Sequence, residues 1–442
     1  MTGYQGRVRI AVLGAAALIM SGEAALAGAF QLNERSARSQ GMSFADSVSG
    51  QKDITYIGFN PAALRRVETL EMGGNLSIVF PISEGETTSL LVNGTPAPIG
   101  TAETLGFTTE TNSDRSGVPL AAALGYRVND DITIGFAMNV PFGLTTENPQ
   151  NFIGAFDGTA SVLTTFQMSP MFAVDVFDSV TLGAAMNFLF LDARLGSNTL
   201  NLDGDDATVG FSAGAIWEPT EATSIGIAYH HGYDLTVNAE ARFTSLAAAG
   251  NAALAPLVDV PLNSTVEGDL PATIQLGVTQ GITDDFRMSA EFRYINWSVF
   301  DELTTTIPAL GIVADDVQNY EDAVFAAVGG EYDFSESLTG RVGFAYDQTP
   351  TQDGSVAGAL IEDAQASGRT VRVPDASRLW FSAGASYDTN LFGMDMTLDA
   401  GYSYLLALEN PEVVITEGPF TGSTVEYDGG AHIISVGGTI RF

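Results

Sequence analysis

Fourteen stretches of this 442-residue chain alternate apolar and polar residues with a period of two, and that rhythm leaves β-structure as the organising principle. The spacing predicts strands near 70–81, 117–128, 132–144, 160–176, 180–194, 208–218, 223–240, 270–281, 286–303, 320–333, 338–348, 378–388, 394–407 and 431–442. In the fifth, Val180, Leu182, Ala184, Met186, Phe188 and Phe190 share one face, opposite Thr181, Gly183, Ala185 and Asn187. The last ends the chain in mid-pattern, with Ile434, Val436, Gly438, Ile440 and Phe442 on one side. A soluble β-sandwich also alternates, but it seldom needs strands of about ten residues throughout, whereas crossing a bilayer takes roughly 9–11. An even count of such strands suits a closed barrel.

The connections sharpen this expectation. Tight turns such as "NDD", "FDS", "PTEA", "TDD" and "FSES" alternate with long segments at 82–116, 145–159, 195–207, 241–269, 304–319, 349–377 and 408–430. Short on one side and long on the other is the arrangement of periplasmic turns and extracellular loops. An unpaired strand edge in lipid costs several kcal/mol per backbone group, so the last strand must close on the first. The predicted fold is therefore all-β: a 14-stranded antiparallel transmembrane barrel over residues 69–442, with Phe442 on its lipid face at the periplasmic rim.

Residues 1–27 read as an export signal: Arg7 and Arg9, the apolar run "IAVLGAAALIM", then the small residues of "ALA". No stretch reaches 18 uninterrupted apolar residues, which argues against a helical span. The net charge of −35 supplies no basic stripe for nucleic acid, and with no cysteine there is no disulfide staple. His230 and His231 are adjacent and point to opposite faces of a strand, so they do not make a shared metal site. No nucleophile elbow or phosphate loop is visible, and no enzyme activity, metal or cofactor is expected.

Residues 28–68 do not alternate. They are polar, punctuated by Gly and Ser, and contain "NPAALRR", where Asn60 and Pro61 favour a turn or helix start. A segment of this kind ahead of a barrel is either a tail or a plug. With Gln31, Asn33 and Glu34 near its start, Asn60, Pro61 and Ala62 within it, and then "VPFGLTTE", "LPATIQLGV", "NWSVFDEL", "AYDQTP" and "VPDASRLWFSAGASY", the chain resembles the FadL-type outer-membrane transporters of long-chain fatty acids and other hydrophobic compounds.

That resemblance implies a monomeric barrel closed by an N-terminal hatch and passive uptake of a hydrophobic small molecule from the outer membrane. Independently of it, Pro141 and Gly143 in "NVPFG" remove a ladder hydrogen bond and permit a bulge in the third strand. In the family this strand is kinked into a lateral opening, a role that Asn139, Pro141 and Gly143 would fill. The resemblance also points to Arg194, Val140 and Phe142 as ligand contacts, although a family lysine and serine are replaced here by Glu321 and Val140, which leaves room for a neutral cargo. Arg287, Glu291 and Arg293 share a parity with Ser289 and are expected to face the lumen, pinning the hatch or one another. The "FTSLAAAGNAALAPLV" stretch reads as a short apolar helix outside the membrane. The terminal Phe442 resembles the signal read by the outer-membrane assembly machinery. A general diffusion porin or a surface adhesin on the same barrel is the competing reading.

Overall fold

The computed structural model describes residues 28–50, 52–113, 115–352, 369–391 and 393–442, so the expected export signal at 1–27 lies outside the described residues. Fourteen antiparallel strands close into one barrel: β1 (Leu70–Ser89), β2 (Leu120–Arg127), β3 (Ile132–Asn139, resuming as Gly143–Glu147), β4 (Ala160–Phe177), β5 (Val180–Gly196), β6 (Leu200–Thr220) and β7 (Thr223–His230, resuming as Tyr233–Phe243). They continue as β8 (Leu262–Leu270 and Thr273–Gly281), β9 (Phe286–Ile295 and Glu302–Ile307), β10 (Ile312–Val317 and Ala323–Asp333), β11 (Leu338–Asp347), β12 (Arg378–Leu391), β13 (Met394–Ala407) and β14 (Thr424–Arg441). The seam pairs β14 with β1 from Glu71↔Arg441 upward, and the Phe442 amide donates to the Leu70 carbonyl at 3.0 Å. No strand edge is left facing lipid at that seam.

The period of two sorts the two faces as expected. Leu76, Ile78 and Phe80 on β1, Leu182, Met186 and Phe190 on β5, and Ile434 and Val436 on β14 are exposed toward lipid. Their alternates Asn75, Ser77, Thr181, Asn187, Ser435 and Thr439 are buried inside. Phe177, Phe334 and Phe442 stand exposed at the periplasmic ends.

Several expected loops are strand instead. β1 runs to Ser89, β5 and β6 form a tight hairpin where 195–207 was expected to loop, and 262–270, 302–307 and 312–317 add an upper sheet. The reason is that above the bilayer the outward positions become polar. Glu84 and Glu86 take the places that Ile78 and Phe80 hold lower down, so alternation persists while hydrophobicity fades. The apolar helix is present as Ser245–Gly250, with Ala247 packed among Leu202, Ala241 and Phe243. β7, β8, β9 and β10 are all interrupted at one level, at 231–232, 271–272, 296–301 and 318–322.

Residues 28–50 and 52–68 fill the bore. They carry a short α-helix, Ala37–Gln40, and two 3-10 turns, Ile54–Gly58 and Pro61–Arg66. Met42, Phe44, Val48, Ile57, Phe59 and Leu64 are fully buried against the wall. Such close packing needs wall positions without side chains. A Cβ at Gly226 would lie 1.9 Å from the Val48 carbonyl oxygen, and one at Gly343 2.1 Å from the Met42 carbonyl carbon. Outside, the loops at 90–107, 148–159, 369–377 and 408–423 pack a separate core around Leu90, Phe152, Val371, Ile415 and Phe420 over the mouth. There Asp157 accepts the amides of Thr416 and Glu417 at 2.8 and 2.6 Å.

Candidate functional site: an apolar chamber above the hatch

The third strand is cut at Val140–Phe142. Below the cut β3 pairs with both neighbours; above the Ala122↔Met138 pair the β2–β3 ladder stops, and Gly143–Glu147 pairs only with β4 among the described strands. Pro141 has no N–H to give, which makes this the natural point of failure. The Thr165 hydroxyl takes over part of the ladder, accepting from the Phe142 amide at 3.0 Å and donating to its carbonyl at 2.5 Å. From the lumen, residues 30–32 pair with the cut: Leu32 N–H donates to the Pro141 carbonyl at 2.8 Å and Gly143 N–H to the Phe30 carbonyl at 2.9 Å, with Gln31 bridged to Phe142.

Above the hatch lies an apolar cavity of about 100 Å³, lined by Leu144, Leu163, Leu191, Leu235, Leu270 and Phe300, among others. Phe30 forms part of its floor, meeting Trp297 edge-on at 4.8 Å and Phe300 at 5.3 Å. This level of the lumen departs from the polar interior below it. On β5 the inward positions change from Thr181 and Asn187 to Leu189 and Leu191, and then to Ala193 and Leu195.

The hatch is held by buried polar contacts. Arg38 donates to Glu331 at 2.5 Å, and Glu331 also accepts from Arg287 and Arg341. Arg293 donates to Asn33 and to Glu291, and Ser47 donates to Glu291. The three lumen-facing residues of β9 thus meet the hatch or one another's partners. Asn60 caps the Pro61–Arg66 turn through the Ala62 amide at 3.0 Å while its own amide donates to the Val48 carbonyl at 2.9 Å and the Ala215 carbonyl at 3.3 Å. Pro61 opens that turn, and Ala62 is wholly buried over Gly183. His230 links the hatch to the wall, bridging the Phe59 carbonyl at 2.7 Å and the Ser212 hydroxyl at 2.9 Å.

The expected ligand contacts are dispersed. Phe142 is buried beneath the chamber beside Phe30, with ring centroids 6.3 Å apart. Val140 packs on the hatch core. Asn139 is buried with neither amide atom hydrogen-bonded among the described residues. Arg194 is on the other side of the wall: its side chain is 47% exposed and pairs with Glu147 at 2.7 Å, while its neighbours Ala193 and Leu195 line the cavity. The lining of the chamber was not anticipated from sequence, although apolar residues at the inward parity of β5 were its signal.

The family model of the outer membrane protein transport protein group (OMPP1/FadL/TodX) matches residues 18–442. The chain is 26% identical to the 47 kDa outer membrane protein of Pasteurella multocida over 426 residues, covering 90% of this chain and 91% of that one. It is 21% identical to the long-chain fatty acid transport protein of Salmonella typhi over 440 residues, covering 92% and 93%. Its fold is similar to the crystal structure of a Pseudomonas aeruginosa FadL homologue, with a TM-score of 0.80 at 20% identity, covering 94% of this chain and 100% of that one. The chain belongs to the OMPP1/FadL/TodX family of bacterial outer-membrane transport proteins, non-enzymatic barrels that carry hydrophobic compounds.

Proposed function

We propose that the protein takes up long-chain fatty acids or related hydrophobic compounds by passive diffusion, and that the cargo leaves sideways through the interruption of β3 rather than down the bore. The observation that carries this reading is the apolar chamber set over a filled bore and beside a strand whose ladder is missing. Burying an alkyl chain there gains about 25 cal/mol per Å² of apolar surface, while Phe44, Phe59 and Leu64 pack the bore below it. A general diffusion porin needs an open aqueous bore, which this packing opposes.

Asn139, Pro141 and Gly143 act in this scheme as the hinge of the side opening, and Phe142 as the part of the wall that the cargo passes. Asn60, Pro61 and Ala62 keep the hatch seated. One chain closes its own barrel, which supports a monomer. Phe442, 54% exposed at the periplasmic rim, is in this reading the residue that assembly factors would recognise. Uptake of radiolabelled oleate by a deletion strain carrying this gene tests the proposal. Restored uptake with the unaltered chain, lost when 140–142 are replaced by a ladder-competent Val-Thr-Val, is the expected result; unchanged uptake in the straightened variant overturns the lateral route.

A further inference from the structure

The first residues of the hatch are held by a pair of buried aspartates. The Gly28 nitrogen lies 3.0 Å from Asp347 Oδ2, and the next amide, that of Ala29, donates to Asp375 Oδ2 at 3.0 Å. Asp347 ends β11 and Asp375 stands just before β12; they are 3% and 1% exposed. Ala29 takes a left-handed φ of +60°, a conformation that alanine adopts only where its surroundings impose it. The residues that follow are the ones that meet the chamber: Phe30 in its floor, and 30–32 paired with the cut in β3.

The two carboxylates outnumber the cations in contact with them. Arg378 donates to Asp375, which also accepts from the Thr349 hydroxyl at 2.6 Å. Asp347 accepts from the Trp380 ring N–H at 3.4 Å, and among the described residues no arginine or lysine is in ion-pair contact with it. The positive charges whose field reaches Asp347 are Arg378, already bonded to Asp375, and Arg293, already bonded to Glu291 at 2.8 Å. One more positive group touching Asp347 would balance the site, and a buried carboxylate gains most from a cation that also hydrogen-bonds to it. The Gly28 nitrogen is at that point. As a peptide amide it brings one N–H and no charge; as a chain end it brings three N–H donors and a full positive charge.

We propose that the export leader is removed between Ala27 and Gly28, and that the ammonium so formed lodges against Asp347, with Asp375 beside it, as the ion pair that completes the seating of the hatch. Hydrolysis of that peptide bond by the export peptidase breaks C–N, adds the oxygen of water to the departing Ala27 carboxylate and leaves the amine, protonated, on Gly28. Leader removal is then a structural step as well as the clipping of an address. An uncut chain brings no charge to the aspartates, and a chain cut two residues early carries its charge roughly 7 Å away. In either case Phe30 and the pairing of 30–32 with β3 lose their anchor.

Amine labelling of the detergent-solubilised protein tests this, because the processed chain holds only two amines, Gly28 and the single lysine, Lys52, whose side chain is 48% exposed. The probe is reductive methylation at pH 8, read by peptide mass spectrometry, with the rate at each amine taken relative to the guanidinium-unfolded chain. A carboxylate in contact favours the unreactive ammonium form, so Gly28 is expected to be protected at least tenfold while Lys52 reacts. Asp347→Asn, and separately the insertion of Ser-Gly between Ala27 and Gly28, are expected to abolish protection of the terminal amine. A mature chain that starts elsewhere than Gly28, labelling of Gly28 at the unfolded rate, or protection that survives in either variant overturns the proposal. Should Asp347→Asn not assemble, the insertion variant decides by the same readout. No cargo enters the measurement, so its outcome is separate from the uptake reading.

Discussion

Arg38 of the hatch and Glu331 of β10 meet at 2.5 Å in the sealed interior, and both side chains are more than nine-tenths buried. Glu331 is at the same time the acceptor for Arg287 and Arg341, so one carboxylate gathers the hatch's Arg38 and two guanidinium groups of the wall. Breaking a buried pair from one side costs roughly 3–5 kcal/mol, because the remaining charge has no water to turn to. Glu331→Gln is therefore expected to loosen the hatch more than Arg38→Met, since it removes the acceptor shared by three guanidinium groups and leaves Arg38 only Asp399 at 3.9 Å, whereas in Arg38→Met the carboxylate keeps Arg287 and Arg341. Planar-bilayer recording reads this directly: a silent unaltered barrel, rare openings in Arg38→Met and frequent ones in Glu331→Gln.

Gly343 gives a second, purely steric handle on the same seating. A Cβ there would come within 2.1 Å of the Met42 carbonyl carbon, a backbone atom that cannot swing aside. Gly343→Val should lower stability by at least roughly 1–3 kcal/mol and expose the hatch to protease while the barrel resists. Thermal unfolding followed with limited proteolysis separates hatch release from collapse of the barrel.

Gln31 and Phe142 face each other in an isolated antiparallel bridge, and the chain has no native cysteine. Bridged residues of this kind have Cα atoms about 4.5–5.5 Å apart, within reach of a disulfide. The double variant Gln31→Cys with Phe142→Cys, once oxidised, fixes residues 30–32 to the cut in β3. Oleate uptake should fall by tenfold or more and return on reduction. Full uptake by the oxidised form would argue that the cut is not on the path.

Asp157 makes the loop cap sensitive to pH. Burial raises its pKa to about 7, against about 4 for a free aspartate. The folded cap thus holds a proton that the unfolded loops release, so the stabilisation is complete below about pH 4 and is lost as pH rises through 7. Hydrogen exchange at the Thr416 and Glu417 amides, corrected for intrinsic rate, should be about an order of magnitude faster at pH 8 than at pH 5. Asp157→Ala should abolish that difference.

The membrane-spanning part of the barrel was legible because lipid and lumen impose opposite demands on alternate residues, and Leu182, Met186 and Phe190 against Thr181 and Asn187 record both. The upper sheet was not, because outside the bilayer neither face must be apolar, and Asn201, Asp203 and Asp205 on β6 look like loop residues while pairing with β5. The side on which Arg194 falls could have been read by carrying the parity of Phe190 two pairs further. The apolar chamber is a different matter. Leu144, Leu191, Leu270 and Phe300 come from segments far apart in sequence, and nothing local marks them as neighbours. That grouping exists only once the barrel has closed.

The interruptions shared by β7, β8, β9 and β10 run as one horizontal crease, bracketed below by His230↔Thr273 and Ile295↔Ala323. A sheet resists bending because its rungs would have to stretch, and along this crease there are few rungs to stretch. The collar formed by 233–243, 262–270, 302–307 and 312–317 is consequently joined to the lipid-embedded wall by few backbone rungs on this side, and it is anchored chiefly where 238–243 ladders to the unbroken β6.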